Sequence, residues 1–332
     1  MRRPTGLTVL ALALVLSPAA AQRVPPADNS PYARAIAAGY VAAMMCSGVF
    51  TAGRDATEVA ADELAGIYPE YQPILRTLTA AKEPAAGRVT VPFDPELPPR
   101  EAHWTPDAGC LTEPIGWTAP EGSRTFLPAK VAGPDPRPWP QGDAGIRPHP
   151  RAALAAAVAA AFDGRSYGAG KTIGLVIVRH GAVAAERYRT APSPYTGWGP
   201  FVSNRTWSVG KSISGTLVGL AAAEGKVDVA KPAPVPEWRA GADDPRQAIT
   251  LDNLLRMASG LHSGAAGNRT DAIYFGGTAV TEEATAWPLE AKPGTRFRYA
   301  NDDVLLAVRS LRATLGEQAY TDFPAAALFR PL

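Results

Sequence analysis

Residues 207–214 read Trp-Ser-Val-Gly-Lys-Ser-Ile-Ser, and they begin an apolar stretch with helical spacing that continues to Ala223. Ser208 and Lys211 are three residues apart, so a helix places both on one face, one turn apart. Ser208 lies at the predicted helix start, where free N–H groups favour a developing anion. The pair indicates a serine nucleophile beside an amine. The alternative is that Ser208 caps the helix and Lys211 is a solvated charge.

A second motif lies in residues 293–301, Pro-Gly-Thr-Arg-Phe-Arg-Tyr-Ala-Asn. The Pro-Gly turn, a short extended segment and the start of a helix place Tyr299 at a loop–helix junction. Tyr299 is the only one of the ten tyrosines with an asparagine, Asn301, two residues later. The alternative is a packed tyrosine followed by an asparagine that caps the helix.

Together the motifs resemble the serine hydrolases related to class C β-lactamases and penicillin-binding proteins, with SxxK at Ser208 and YxN at Tyr299. The likeness is greatest to the 6-aminohexanoate-oligomer hydrolase and esterase branch of that superfamily. Leu217-Val-Gly219 and Leu254-Leu-Arg-Met-Ala-Ser-Gly260 share its character. The resemblance covers about residues 172–332.

The resemblance implies a role for each motif residue. Ser208 would be the nucleophile that forms an acyl-enzyme, and Lys211 would take its proton. Tyr299 would carry that proton to the leaving group and later help to activate water. Asn301 would orient Lys211 or the substrate amide, and the Ser208 N–H would form half of the oxyanion hole.

The resemblance also implies an α+β fold, a helical domain packed against a mostly antiparallel sheet. Residues 172–188 read as a hairpin, which would supply that sheet's first two strands. No Lys-x-Gly or His-x-Gly follows Tyr299, so the family's third motif is missing. We therefore expect residues 151–332 to be the N-terminal part of a longer hydrolase domain. A chain truncated in this way would lack an oxyanion-hole donor, which puts its own activity in question.

The N-terminal half has a different character. Residues 22–83 predict a helical segment, with Asp55 and Glu58 as a capping box. Residues 84–150 contain 15 prolines and predict extended chain, with short strands near 88–93 and 110–116. The alternative for this proline-rich stretch is a wrapping linker.

Residues 1–21 have the pattern of a secretory signal peptide. Arg2 and Arg3 precede the apolar run Leu7–Leu16, and small residues precede Gln22. We expect export to the periplasm or the extracellular space, without a stable membrane span after cleavage; the alternative is an uncleaved anchor. In an oxidising compartment Cys46 and Cys110 would form a disulfide, unless both remain buried thiols.

Composition narrows the range of partners. The chain of 332 residues has a net charge of +2 with 33 basic and 31 acidic residues, which favours neither nucleic acid nor an anionic membrane. The four histidines are scattered, and the glycine–lysine stretches near Lys171 and Lys211 lack phosphate-loop spacing, so no metal or other cofactor is predicted.

The predicted function is an exported serine hydrolase acting on a small-molecule or peptide-like ester, amide or β-lactam. The alternative is a catalytically silent protein of the same fold that binds peptidoglycan peptides or regulates another process. Asp271 and Tyr274 follow the Ser259-Gly260 turn and are candidates for the substrate pocket, with ordinary loop packing as their alternative.

Overall fold

The computed structural model describes residues 28–105, 109–118, 133–191, 197–241, 243–263 and 270–331. The predicted signal peptide lies outside these ranges. The α-helices are α1 (Pro31–Cys46), α2 (Ala56–Glu63), α3 (Gln72–Leu75), α4 (Ala152–Ala161), α5 (Val209–Ala223), α6 (Leu251–Leu255), α7 (Asp271–Tyr274), α8 (Asn301–Leu315) and α9 (Glu317–Pro324). The strands are β1 (Ala81–Glu83), β2 (Arg88–Val91), β3 (Arg100–Thr105), β4 (Gly109–Thr112), β5 (Gly174–Arg179) and β6 (Ala182–Tyr188).

Helix α1 forms the centre of the N-terminal region. Ser30 caps its first turn by accepting a hydrogen bond from the Ala33 N–H, and proline stands at Pro31, where no N–H is needed. One side of α1 packs on the strands through Val89, Val91 and Ala102. Its other side packs on an aromatic group of Tyr40, Tyr68, Tyr71 and Phe275. The helix is therefore buried on both sides.

Strands β1 to β4 form one antiparallel sheet in chain order. Strands β2 and β4 lie where the sequence predicts short strands, near residues 88–93 and 110–116 of the extended stretch 84–150. Strand β3 was not predicted, because its charged residues do not follow the pattern of a buried strand. In the structure Ala102 and Trp104 are buried on one face of that strand. The predicted helical segment 22–83 likewise ends in a strand, β1.

The helix that runs on from α1 through Thr51 is long and apolar enough to cross a membrane, with a mean hydropathy of 1.4. Of its most apolar window, 72% is buried inside the protein. That burial is what a core helix of a folded domain shows.

The second region is built from helices. The C-terminal half of α5 contributes Val218 and Ala221 to a core with α6 and α8, and Trp238 and Leu306 are fully buried within it. Thr250 caps α6 with a capping box formed with Asn253. Helix α8 is followed by Gly316.

Strands β5 and β6 form the predicted hairpin, with a turn at His180 and Gly181, both at positive φ. Among the described residues this hairpin is a separate two-stranded sheet and does not join the four-stranded one. All pairings between the named strands are antiparallel, so the α+β class predicted from the sequence is confirmed.

Candidate active site

A tight turn presents Ser208 at the start of α5. The Val209 N–H donates to the Thr206 carbonyl and the Gly210 N–H to the Trp207 carbonyl. Trp207 has a φ of 46°, in the left-handed region that a bulky residue adopts at a cost of about 1–3 kcal/mol. Backbone strain of this kind clusters at active sites and ligand-binding sites. Among the described residues, the Ser208 N–H has no hydrogen-bond acceptor, so it is free to bind an oxyanion.

Three side chains meet at the Ser208 hydroxyl. Lys211 Nζ donates a hydrogen bond to Ser208 Oγ at 3.0 Å, and the Tyr299 hydroxyl lies 2.5 Å from the same oxygen. Lys211 Nζ also lies 5.2 Å from the centroid of the Tyr299 ring. The structure thus brings together a serine and a tyrosine that are 91 residues apart in sequence. This arrangement suits proton transfer to and from a nucleophilic serine.

The electrostatics of Tyr299 favour its anion. The hydrogen bond from Ser208 lowers the pKa of the Tyr299 phenol below its ordinary value, and the hydrogen bond and positive charge of Lys211 lower it further. Partial burial acts in the opposite direction but is the weaker effect. A tyrosine with a lowered pKa is a better proton acceptor near neutral pH.

The segment after α6 positions Tyr299. The Arg298 N–H donates to the Met257 carbonyl at 3.0 Å, and the Gly294 N–H donates to the Ala258 carbonyl at 2.8 Å. On the other side of Tyr299, Asp303 in the first turn of α8 accepts hydrogen bonds from both the hydroxyl and the N–H of Ser259. The backbone is therefore fixed before and after the tyrosine.

Asn301 is the first residue of α8 and lies at the same cavity as Ser208. Its side-chain amide donates to Thr270 Oγ1 at 3.4 Å. A role for Asn301 in orienting Lys211 or the substrate stays a prediction.

A cavity of about 470 Å³ opens beside these groups. Ser208, Lys211 and Asn301 lie in its wall, together with Val304 and Leu305 of α8. The volume falls within the range of small-molecule sites, about 300–1,000 Å³.

The two candidates for the substrate pocket, Asp271 and Tyr274, differ in their positions relative to this cavity. Tyr274 lies in the cavity wall and is 41% exposed. Asp271 is not among the lining residues, and its carboxylate accepts a hydrogen bond from the Tyr71 hydroxyl at 2.5 Å. Asp271 therefore links the helical region to the N-terminal region, and a role for it in substrate binding stays a prediction. Sequence reasoning could not see this contact, because the two residues are 200 positions apart.

A network of charged residues lies next to the nucleophile turn and was not predicted. Arg205, whose guanidinium lies 4.5 Å from the Trp207 ring centroid, pairs with Glu63 at 2.5 Å. Glu63 also bonds to the buried Arg54, which pairs with Asp62. The only local signal was an arginine three residues before Ser208.

The structure joins Cys46 and Cys110 in a disulfide, which ties α1 to β4. Cys110 also lies in the wall of the cavity beside Ser208. Within the described ranges, no group of three or more His, Cys, Asp or Glu side chains is arranged to hold a metal ion.

Comparison with known proteins places the C-terminal half in a family. A family model described as "Beta-lactamase" matches residues 154–332. No curated protein matches the chain. A solved structure named "Putative 6-aminohexanoate-dimer hydrolase from Bacillus anthracis" is similar to it, with 20% identity and a TM-score of 0.36. That match covers 45% of this chain and 42% of the solved one, so the chain spans less than half of that neighbour's length.

Proposed function

The chain belongs to the beta-lactamase family, and from that premise we propose that it is a serine hydrolase whose nucleophile is Ser208. The observation that carries the proposal is the position of the Ser208 hydroxyl, which is hydrogen-bonded to both Tyr299 and Lys211. A hydroxyl becomes a useful nucleophile when a neighbouring group takes its proton as it attacks.

Acylation begins when Ser208 Oγ attacks the carbonyl carbon of the substrate. Lys211 donates a hydrogen bond to Ser208 Oγ, so the Tyr299 oxygen, in its phenolate form, is the neighbouring group that accepts the serine proton. The new C–O bond gives a tetrahedral intermediate, whose oxyanion the Ser208 N–H stabilises. The bond to the leaving group then breaks, and that group takes the proton from Tyr299. This order assigns the first proton transfer to Tyr299 instead of Lys211.

Deacylation runs through the same groups in reverse. Water attacks the acyl carbon and gives its proton to Tyr299, and the bond between that carbon and Ser208 Oγ then breaks. As that bond breaks and the carboxylic acid leaves, Ser208 Oγ takes the proton from Tyr299, so the enzyme returns to its initial state. Throughout both steps Lys211 supplies a fixed positive charge beside Ser208 and Tyr299, which favours the negative charge that develops there.

The substrate we propose is a small-molecule or peptide-like ester, amide or β-lactam. All three present a carbonyl carbon bonded to a leaving group, and the cavity has the volume for a small molecule. Fold alone does not choose among them.

We also propose that the protein is exported. The apolar run Leu7–Leu16 behind Arg2 and Arg3 supports this, because it is too short for an ordinary membrane-spanning helix. The disulfide between Cys46 and Cys110 fits an oxidising compartment. Mass analysis of the protein made in a secreting bacterial host tests this, since cleavage should leave Gln22 as the first residue. A protein that keeps residues 1–21 would contradict cleavage.

Labelling with a fluorophosphonate tests the nucleophile. We expect one adduct per chain by intact mass, and none in Ser208→Ala. Ser212→Ala is the matched control, because it removes an exposed hydroxyl from the same helix and should leave the adduct in place. Absence of an adduct in the folded wild-type protein would overturn the proposal and favour a silent binding protein.

A further inference from the structure

The N-terminal region supplies part of the wall of the cavity beside Ser208. Six of its residues line that cavity: Ala43, Met44, Ser47, Tyr68, Cys110 and Thr112. All six lie before residue 154, where the family match begins. The catalytic groups therefore come from the family region, whereas this wall comes from outside it.

This wall is firmly held. The Cys46–Cys110 disulfide connects its two main elements, α1 and β4. Tyr68 is buried, and its ring packs against Tyr40 and Phe275 with centroids 4.9 Å and 5.7 Å away. A rigid wall selects substrates by shape and charge, because it does not rearrange around a substrate that fits poorly.

The cavity is apolar and electropositive. Carbon-rich side chains line it on both sides, including Met44, Tyr68, Phe275 and Leu305, and its two charged lining residues are Arg205 and Lys211. Among the described residues, no aspartate or glutamate lines it.

The positive charge of Arg205 is only partly offset. Glu63 pairs with Arg205 but also with Arg54, and Glu63 lines a neighbouring cavity instead of this one. The surrounding network has three cations, Arg54, Lys171 and Arg205, against the two carboxylates of Asp62 and Glu63. The net charge of this network is therefore positive. A substrate cation near Arg205 would meet repulsion, because no described carboxylate lies in the wall and the positive charge of Lys211 already lies beside the Tyr299 phenolate.

We propose that the N-terminal wall makes the site selective for acyl groups that are apolar and carry no positive charge, and that Ser47 lies where this selection is set. The proposal rests on the proposed function of Ser208. Ser47 is suited to a test because it is exposed and at the end of α1, so a new side chain there disturbs little packing.

The test compares two esters of equal chain length, 4-nitrophenyl hexanoate and 4-nitrophenyl 6-aminohexanoate. We expect wild-type kcat/KM to favour the hexanoate by about tenfold or more, from the repulsion of one charge in a partly screened site. Ser47→Asp should reduce that preference about tenfold. Thr321→Asp is the matched control, because it adds the same charge at an exposed position of α9 and should leave the preference unchanged.

Two results would overturn the proposal. One is a wild type that hydrolyses the aminohexanoate ester as well as the hexanoate. The other is an equal effect of Ser47→Asp and Thr321→Asp, which would place the selection outside this wall.

A binding measurement separates failure of this proposal from failure of the proposed function. Hexanamide and 6-aminohexanamide are titrated into Ser208→Ala, and isothermal titration calorimetry gives the Kd of each. Tighter binding of hexanamide supports the wall even if neither ester is hydrolysed. Equal binding, or tighter binding of the amine, overturns the wall even if Ser208 reacts with the fluorophosphonate.

Discussion

The two apolar helices α1 and α5 have similar lengths but opposite environments. Twelve of the 16 residues of α1 are buried, whereas only Val218 and Ala221 are buried among the 15 of α5. Helix α1 lies between a sheet and an aromatic cluster, and α5 is anchored by its C-terminal half while its N-terminal end borders the cavity. The N-terminal region therefore supplies rigid support, and the helical region exposes the reactive groups.

The two regions meet through an aromatic cluster that includes Phe275 and through buried polar contacts. Arg100 of β3 is fully buried and donates to the carbonyl oxygens of Ala35, Glu113 and Phe275, the last from the helical region. Arg205 pairs with Glu63 across the same boundary. Substitutions in one region should therefore change the stability of the other by an amount that depends on the contacts they remove. The following measurements test whether the N-terminal region supplies support and the helical region supplies the reactive groups.

The largest effect is expected at Tyr299. Tyr299→Phe removes the proposed proton acceptor, so kcat/KM should fall by about 10²–10⁴-fold, the range for a general acid or base. The free energy of unfolding should change little, because the ring is 41% exposed. The rate of ester hydrolysis measures the expected loss of kcat/KM, and urea unfolding measures the free energy of unfolding.

The pH profile sharpens this test. Because the pKa of Tyr299 is lowered, wild-type kcat/KM should rise with pH as the phenol ionises, and level off below the ordinary tyrosine value. Tyr299→Phe should lose that rise. Tyr167→Phe, an exposed tyrosine in the loop before β5, should keep both rate and profile. A Phe variant with the wild-type profile would remove Tyr299 from the mechanism.

The next largest effect is expected on stability, at the Cys46–Cys110 disulfide. Replacing both Cys46 and Cys110 by alanine opens a loop of 64 residues and should cost about 4 kcal/mol in the free energy of unfolding. Urea unfolding of wild-type protein with and without a reductant should give the same loss. A difference below about 1 kcal/mol would show that the N-terminal support does not depend on this bond.

A smaller effect is expected at the boundary between the regions. Arg100→Met keeps an unbranched apolar stem but leaves the carbonyl oxygens of Ala35, Glu113 and Phe275 without their donor, at a cost of about 3 kcal/mol. Burial lowers the pKa of Arg100 to about 10, so the guanidinium still carries its charge at neutral pH. Arg88→Met is the control, because Arg88 lies in the same sheet but is part-exposed, and it should cost less than about 1 kcal/mol. Equal losses would show that Arg100 does not bind the regions together.

The sequence predicts the reactive groups of the helical region, but it does not predict all of the N-terminal support or the contacts between the two regions. The proximity of Ser208 to Lys211 follows from helical spacing, and Tyr299 was found by its own short motif. Strand β3 was missed because its Arg100 and Glu101 are buried polar residues, which look like surface positions in sequence. The Arg205–Glu63 pair was missed because its members are 142 residues apart, and only the folded chain brings them together.

The smallest effect tests the support behind Tyr299. Burial raises the pKa of Asp303 from 3.8 to about 6, and the hydrogen bonds from Ser259 only partly oppose this. Because the folded-state pKa is raised, the folded protein binds the proton more tightly than the unfolded chain. The contribution of Asp303 to stability should therefore increase as the pH falls from 7 towards 4 and be lost as the pH rises through 6.

Comparison with Asp303→Asn isolates this contribution from the other carboxylates. Between pH 7 and pH 5, wild type should gain about 1 kcal/mol relative to the variant, which cannot take up the proton. Urea unfolding at the two pH values measures the difference. If the two proteins keep a constant difference, Asp303 stays ionised in the fold, and Ser259 with the N-terminal end of α8 must hold its charge more strongly than its burial opposes it. Tyr299 would then be positioned by a fixed anion instead of a group that titrates, and its rate profile should show no second transition near pH 6.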